Sequence, residues 1–80
     1  MTIFQIECFL AVAEHLNFAR AATQLNVSQP AITRQIHTLE AELGTQLFIR
    51  STRMVRLTEN GRIFQSDAQL IVNTSRRSVQ

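Results

Sequence analysis

The chain of 80 residues contains no Trp, no Tyr and no Lys, and it has a single Cys and a single Pro. One cysteine excludes an internal disulfide, so the fold depends on a hydrophobic core. No apolar stretch approaches the roughly 18–20 residues that a membrane-spanning helix needs. The N-terminus lacks the basic start and apolar run of a signal peptide, so we expect none. These absences indicate one small globular domain, which we expect in the reducing cytoplasm.

The sequence also lacks the side-chain patterns of enzymes and metal proteins. It contains no nucleophile–base pair, no paired carboxylates and no Gly-rich loop that would cradle a phosphate. Cys8, His15 and His37 are not spaced as metal ligands, and the apolar neighbours of Cys8 favour a buried, unreactive thiol. We therefore predict that the chain is not an enzyme and holds no catalytic residue, metal or cofactor.

All eight basic residues are Arg, and they are unevenly distributed. Residues 17–39 and 45–58 contain Arg but no acid, whereas residues 1–16 and 40–44 contain acids but no Arg. Two purely basic segments, in a chain of net charge +2, are typical of a surface that meets phosphate. A module that binds only protein does not need them, so the pattern favours nucleic acid as the partner.

Apolar residues spaced by three and four predict the first two helices. The first begins at a Thr2 cap, which Gln5 completes as a capping box, and its apolar stripe continues to Leu16. Asn17 caps a short second helix at 18–25. We expect Asn26 to end this helix, since Asn tolerates the left-handed conformation.

The third helix is predicted at 29–43, between a Ser28 cap and a terminating Gly44. Pro30 lies in its first turn, where the missing N–H is tolerated. The period then changes to that of a strand.

Two short runs at 46–50 and 55–58 predict a β-hairpin. Thr58 caps a long helix that extends to the end of the chain. The predicted fold is therefore mostly α.

The helices at 18–25 and 29–43 are joined by only three residues, and a turn this short forces a steep crossing. This is the geometry of the helix-turn-helix. The exposed face of its second helix carries no acid, and its side chains suit base edges in the major groove of DNA. These side chains are Gln29, Pro30, Thr33, Arg34, His37 and Thr38.

Many positions match the sequence pattern of one family at the same time. They are Phe18, Ala21, Ala22, Leu25, Val27, Ser28, Gln29, Pro30, Ala31, Ile36, Leu39, Glu40, Leu43, Gly44, Leu47, Phe48, Arg50, Leu57, Thr58 and Gly61. Through them the chain resembles the DNA-binding domain of LysR-type transcriptional regulators. The resemblance implies a winged helix-turn-helix at the N-terminus of a longer bacterial regulator. It also implies a long helix that pairs two subunits, and a C-terminal domain, absent from this chain, that binds a small-molecule effector.

On this interpretation the recognition helix 29–43 enters the major groove, and the wing 47–58 contacts the backbone or the minor groove. We assign base readout to Gln29, Pro30, Thr33 and Arg34. The candidates for phosphate or minor-groove contact are Arg20, Thr23, His37, Thr38 and Arg53. Solvated surface is the alternative for the arginines. Arg50 has two open roles, an ion pair with Glu40, which the resemblance implies, or a contact with DNA.

The long helix carries an apolar stripe that so small a domain is not expected to cover alone. From it we predict a dimer interface formed by Phe64, Ala68, Ile71 and Val72. We divide the chain into a winged helix-turn-helix domain, 1–58, and a linker helix, 59–80, and expect that the protein continues into a second domain or was cut there. The expected partners are double-stranded DNA with an inverted-repeat operator and a second subunit, with a tetramer as the alternative for a full-length protein.

Overall fold

Four helices and a two-stranded sheet make up the fold in a computed structural model that describes residues 1–79. In chain order the elements are α1 (Ile3–His15), α2 (Phe18–Leu25), α3 (Gln29–Leu43), β1 (Phe48–Arg50), β2 (Val55–Leu57) and α4 (Glu59–Val79). This order confirms the predicted fold, in which three helices precede a short wing and a long helix follows it.

Side chains at the start of each helix accept hydrogen bonds from backbone N–H groups that have no partner within the helix. Thr2 and Gln5 form the predicted capping box, in which each side chain accepts from the other's backbone N–H at 3.0 Å. Asn17 and Ser28 accept from the third residues of α2 and α3 at 2.9 and 3.2 Å. Thr58 caps α4 in the same way at 2.9 Å. All four caps were predicted from the sequence.

The first three helices end at residues in the left-handed backbone conformation. Asn26 (φ 57°) follows α2 and Gly44 (φ 70°) follows α3, as predicted. Leu16 (φ 49°) follows α1, and its side chain is 45% exposed. The prediction that Leu16 extends the apolar stripe of the first helix is therefore wrong, because the residue that turns the chain into α2 points its side chain away from the core.

Phe9 lies at the centre of the core and joins three elements. Its ring centroid is 5.3 Å from that of Phe48 in β1 and 5.0 Å from that of Phe64 in α4, and Phe9 itself is fully buried. Each large side chain buried in this way contributes about 1.5–3 kcal/mol. The inner face of α3 adds three further buried residues. They are Ile32, Ile36 and Leu39.

Gly61 allows the first turn of α4 to lie directly against the segment that enters the wing. A Cβ atom at this position would overlap the carbonyl oxygen of Leu47. The same Leu47 carbonyl accepts a hydrogen bond from the backbone N–H of Thr58 at 2.9 Å. A side chain larger than hydrogen at position 61 would therefore separate α4 from the wing.

The structure corrects two of the four predicted dimer contacts. Ala68 and Val72 are 0% and 2% exposed within a single chain, because α4 packs along α1 over this length. They belong to the chain's own core and offer no surface to a partner. Phe64 and Ile71 are half-buried against the same core. α4 therefore shares its core with the preceding helices, and the division of the chain at residues 58 and 59 stays a prediction.

We predict that the stability of this domain falls as the pH rises from about 9 to about 11. Burial, with a smaller contribution from Glu7, raises the pKa of the Cys8 thiol from 9.0 to about 11. The folded state keeps the proton at pH values where the unfolded chain releases it. Stability is therefore complete below pH 9 and declines by about 2–3 kcal/mol as the pH passes through the folded pKa. Urea unfolding at a series of pH values measures the decline.

Two features of the chain make this measurement specific for Cys8. The sequence has no Tyr and no Lys, whose side chains would otherwise titrate near this pH range. Cys8→Ala is the control because it removes the titrating thiol. The free energy of unfolding of this variant should not change between pH 9 and pH 11. An equal decline in the control would contradict the assignment.

Candidate nucleic-acid interface

One face of α3 is exposed over residues 29–38 and forms a shallow groove. Six residues line it, and they are the six that the sequence predicted for this face. They are Gln29, Pro30, Thr33, Arg34, His37 and Thr38. Thr33 is half-buried and the other five are exposed. The groove therefore combines hydrogen-bonding side chains with apolar surface, and its lining, within the described part of the chain, contains no acid.

The turn between α2 and α3 directs this groove away from the core. Ala21 and Ala22 are 0% and 4% exposed, and their small side chains allow close packing between helices. The N–H of Val27 bonds to the carbonyl of Ala22 at 3.0 Å, and the Val27 side chain packs against the core. The chain therefore leaves Asn26 in a defined direction, and α3 begins with its polar residues on the outside.

The wing is an antiparallel pair of strands, β1 and β2, in which Phe48 pairs with Leu57 and Arg50 with Val55. Ser51 closes its turn without a glycine. The Ser51 N–H bonds to the carbonyl of Met54 at 2.9 Å, and its hydroxyl accepts from the N–H groups of Arg53 and Met54 at 3.3 and 3.1 Å. This network places Arg53 at the exposed tip, where the sequence predicted it.

Glu40 connects α3 to the wing. Its carboxylate oxygen Oε2 accepts from the backbone N–H groups of Leu47 and Phe48 at 2.7 and 3.2 Å. The hydroxyl of Thr58 donates to the carbonyl of Gln46 at 2.7 Å and holds the other end of the wing to the same segment. The last turns of α3 and both ends of the wing are therefore fixed relative to one another.

Of the two roles left open for Arg50, the structure does not form the ion pair with Glu40. The Glu40 oxygen is engaged by backbone N–H groups, and the guanidinium carbon of Arg50 lies 4.2 Å from the centre of the Phe18 ring. The reason is the register of the hairpin: Arg50 is on the same face as Phe48, which packs edge-on against Phe18 at 6.0 Å. This contact between Arg50 and Phe18 was not predicted from the sequence. A signal for it was present in the two-residue spacing of Phe48 and Arg50, which puts both on one face of a strand.

A cleft of about 380 Å³ lies between the start of α3 and the wing. Gln29 lines one side of it, Arg50 and Arg53 line the other, and Phe18 lies between them. The remaining lining residues are Leu16, Asn17, Ala19, Ser51, Thr52, Met54 and Val55. Among the described residues no acid contributes to this lining, so the cleft is positively charged.

The helix-turn-helix and the wing are also what the family comparison finds. The model of the bacterial regulatory helix-turn-helix proteins, lysR family, matches residues 3–62. The chain belongs to this LysR family. Its membership confirms the predicted winged helix-turn-helix. The relatives described below are named as transcriptional regulators and not as enzymes.

LysR-family relatives resemble the chain along nearly its whole length. The probable cat1 operon transcriptional activator of Acinetobacter lwoffii is 50% identical over 68 residues, which cover 85% of this chain and 22% of that protein. The HTH-type transcriptional regulator XapR of Escherichia coli (strain K12) is 53% identical over 68 residues, which cover 84% of this chain and 23% of that protein. The chain thus spans less than a quarter of the length of either regulator.

A solved LysR-family structure has the same fold. The crystal structure of the CbnR_DBD–DNA complex superposes with a TM-score of 0.94 at 49% sequence identity, covering 98% of this chain and 90% of that one. That protein was crystallised with DNA.

Two predicted phosphate contacts lie outside the groove and the cleft. Arg20 and Thr23 are exposed on α2, on a neighbouring surface that they share with His15 and Gln24. The Thr23 hydroxyl donates to the carbonyl of Ala19 at 3.1 Å. Across residues 1–79 no three metal-ligating side chains come together, and no helix in that range is long and apolar enough to cross a membrane.

Proposed function

We propose that this LysR-family domain binds duplex DNA sequence-specifically, as a dimer, and that it belongs to a bacterial transcription regulator. The observation that carries the proposal is the acid-free groove of α3, with the positive cleft and the wing tip beside it. A helix fits the major groove of B-DNA, and a wing beside that helix reaches the neighbouring groove or its backbone. The CbnR_DBD–DNA complex, at 49% identity, supports this docking.

Base readout in this proposal comes from the N-terminal half of α3. Gln29 suits the paired donor and acceptor of adenine, and Arg34 suits the two acceptors of guanine. Thr33 offers a hydroxyl and a methyl group, and Pro30 packs against a thymine methyl while it also starts the helix. All four side chains line the same exposed face of α3. A helix that enters the major groove of DNA has to present its base-contacting side chains on one face.

Backbone contacts surround this centre. His37 and Thr38 lie further along the α3 groove. In this docking they contact phosphates at the border of the DNA major groove. Arg20 and Thr23 on α2 face the adjacent backbone. Arg53 at the wing tip is placed for a narrow minor groove, where the negative potential favours Arg.

A winged helix that binds only protein is the second candidate. It would have no reason to exclude acids from both the groove and the cleft, so the charge distribution favours DNA. A titration with duplex DNA of random sequence at two salt concentrations separates the two functions, since phosphate binding weakens steeply with salt.

We place the dimer interface on the exposed face of α4. Ile63 and Leu70 are 61% and 63% exposed, and their seven-residue spacing puts them on one side of the helix. Phe64 and Ile71 lie beside them, half-buried, at the edge of this face. A two-fold dimer presents the same recognition helix twice, so the operator consists of inverted half-sites.

The rest of the proposed protein follows from family membership. LysR-family regulators carry an effector domain after the helix-turn-helix, so we expect that domain of the whole protein to bind a small-molecule effector. We expect the whole protein to form a dimer or a tetramer. Its site of action is the bacterial cytoplasm, where the DNA is.

Arg34 and Arg53 are expected to contribute differently, Arg34 to the specificity of DNA binding and Arg53 to its affinity. Arg34→Ala removes a base contact, so discrimination at one base pair of each half-site should fall by about 1–3 kcal/mol. Arg53→Ala removes a phosphate or minor-groove contact, so binding to all duplexes should weaken and the log–log salt slope should flatten by about one unit per protomer. Titrations of both variants with specific and random duplexes over a salt series measure the difference.

The two variants serve as controls for each other, since each loses one arginine. If Arg34→Ala weakened specific and random duplexes by the same factor, α3 would not read bases through Arg34. That result would contradict the proposed docking.

A second prediction concerns the dimer. Leu70→Asp puts a charge on the exposed face of α4, where burial against a partner would be costly, and should convert a concentrated sample to monomer in analytical sedimentation. Leu43→Asp makes the same change at a leucine that is 38% exposed at the end of α3, and should remain dimeric. Persistence of the dimer in Leu70→Asp would place the interface elsewhere.

A further inference from the structure

Arg50 is the one wing arginine whose side chain is held in place by an aromatic ring. Side chains alternate across a strand pair, so the register places Arg50 and Val55 on the inner face and Ile49 and Arg56 on the outer face. On the inner face the guanidinium lies 4.2 Å from the centre of the Phe18 ring. Arg50 therefore points into the cleft, and Arg56 does not line it.

The contact with the ring leaves the hydrogen-bonding groups of this guanidinium available. Its central carbon lies over the ring, whereas its five N–H donors lie at the periphery of the group. Such a guanidinium is preorganised for a planar, two-point acceptor such as a phosphate. In the described residues the lining of the cleft supplies no carboxylate that would compete for it.

The position of the cleft indicates which phosphate would be available. Gln29, a base-contacting candidate, lines one side, and Arg53, at the wing tip, lines the other. If α3 occupies the major groove and the wing tip the adjacent minor groove, the sugar–phosphate strand that divides these grooves has to pass between them. The cleft is the space between them.

We propose that Arg50 binds a phosphate of the DNA strand that crosses this cleft, and that Phe18 is the positioning residue that orients its guanidinium. The inference rests on the proposed function, because it takes the docking of α3 and the wing as given. It assigns the contact to a residue distinct from the wing tip, and it gives a functional reason for the stacking of Arg50 on a core phenylalanine.

The test compares three forms of the 80-residue chain: the parent, Arg50→Ala and Arg56→Ala. Each is titrated with a duplex of random sequence over a series of salt concentrations. Loss of one phosphate contact should flatten the log–log slope by about 0.9 per protomer and weaken binding about fivefold per protomer near 0.15 M salt. Arg56→Ala, which removes an equal charge from the outer face of the same hairpin, should keep the slope of the parent.

A neutral phosphate analogue locates the contact. Methylphosphonate linkages are placed one at a time along a duplex selected for tight binding. When the linkage that Arg50 contacts is neutral, the parent should bind the duplex no more tightly than Arg50→Ala does, because the charge that Arg50 binds is gone. With the neutral linkage at any other position, the parent should still bind more tightly than Arg50→Ala.

Two further variants test the positioning role of Phe18. Arg50→Lys keeps the charge but not the planar face, so it should keep the salt slope and bind several-fold more weakly. Phe18→Leu keeps an apolar side chain in the core and should weaken binding in the parent but not in Arg50→Ala. Circular dichroism melts establish that every variant is folded at the temperature of the titration.

The outcomes separate this inference from the function on which it rests. A parental slope for Arg50→Ala, with a flattened slope for Arg53→Ala, would overturn the Arg50 contact and leave DNA binding intact. An equal loss in Arg50→Ala and Arg56→Ala, with no methylphosphonate position that couples to Arg50, would also overturn it. A parent chain that binds no duplex at low salt would overturn the proposed function itself.

Discussion

The site depends on the hydrogen bonds that Glu40 accepts from the backbone of Leu47 and Phe48. They fix the first residues of the wing to the last turns of α3, so this helix and the wing keep a constant separation. Removing the carboxylate would leave part-buried N–H groups without an acceptor, at a cost of about 1–3 kcal/mol each. Without Glu40 the wing would keep the Thr58–Gln46 hydrogen bond and the ring contacts of Phe48, but it would lose these hydrogen bonds to α3.

A fixed separation has consequences on both sides of the wing. On the inside, Phe48 reaches Phe9 and Phe18, and these rings connect the wing to α1 and α2. On the protein surface, the groove of α3, the positive cleft and Arg53 follow one another, in the order in which major groove, backbone and minor groove follow one another along a duplex. In the proposed function this arrangement is built before DNA binds, which would reduce the ordering cost of binding.

The local signals in the sequence were sufficient for the helices, their caps and the groove, because capping residues and apolar spacing act over three or four positions. Contacts between distant segments were less accessible. Burial of Ala68 depends on how α4 lies along α1, and the partner of Glu40 depends on the path of residues 44–47, neither of which a local pattern specifies. Leu16 shows the same limit, since a left-handed leucine at a helix end is set by the reversal of the chain and not by its own preference.

Amide hydrogen exchange in Glu40→Ala, combined with DNA titration, tests the rigid connection most directly. Loss of the carboxylate should accelerate exchange at Leu47 and Phe48 and should remove most of the contribution of Arg53 to affinity, while Arg34 keeps its base preference. Glu40→Gln, which retains an acceptor oxygen, should stay close to the parent in both measurements. Unchanged protection at Leu47 and Phe48, with full affinity in Glu40→Ala, would contradict the account.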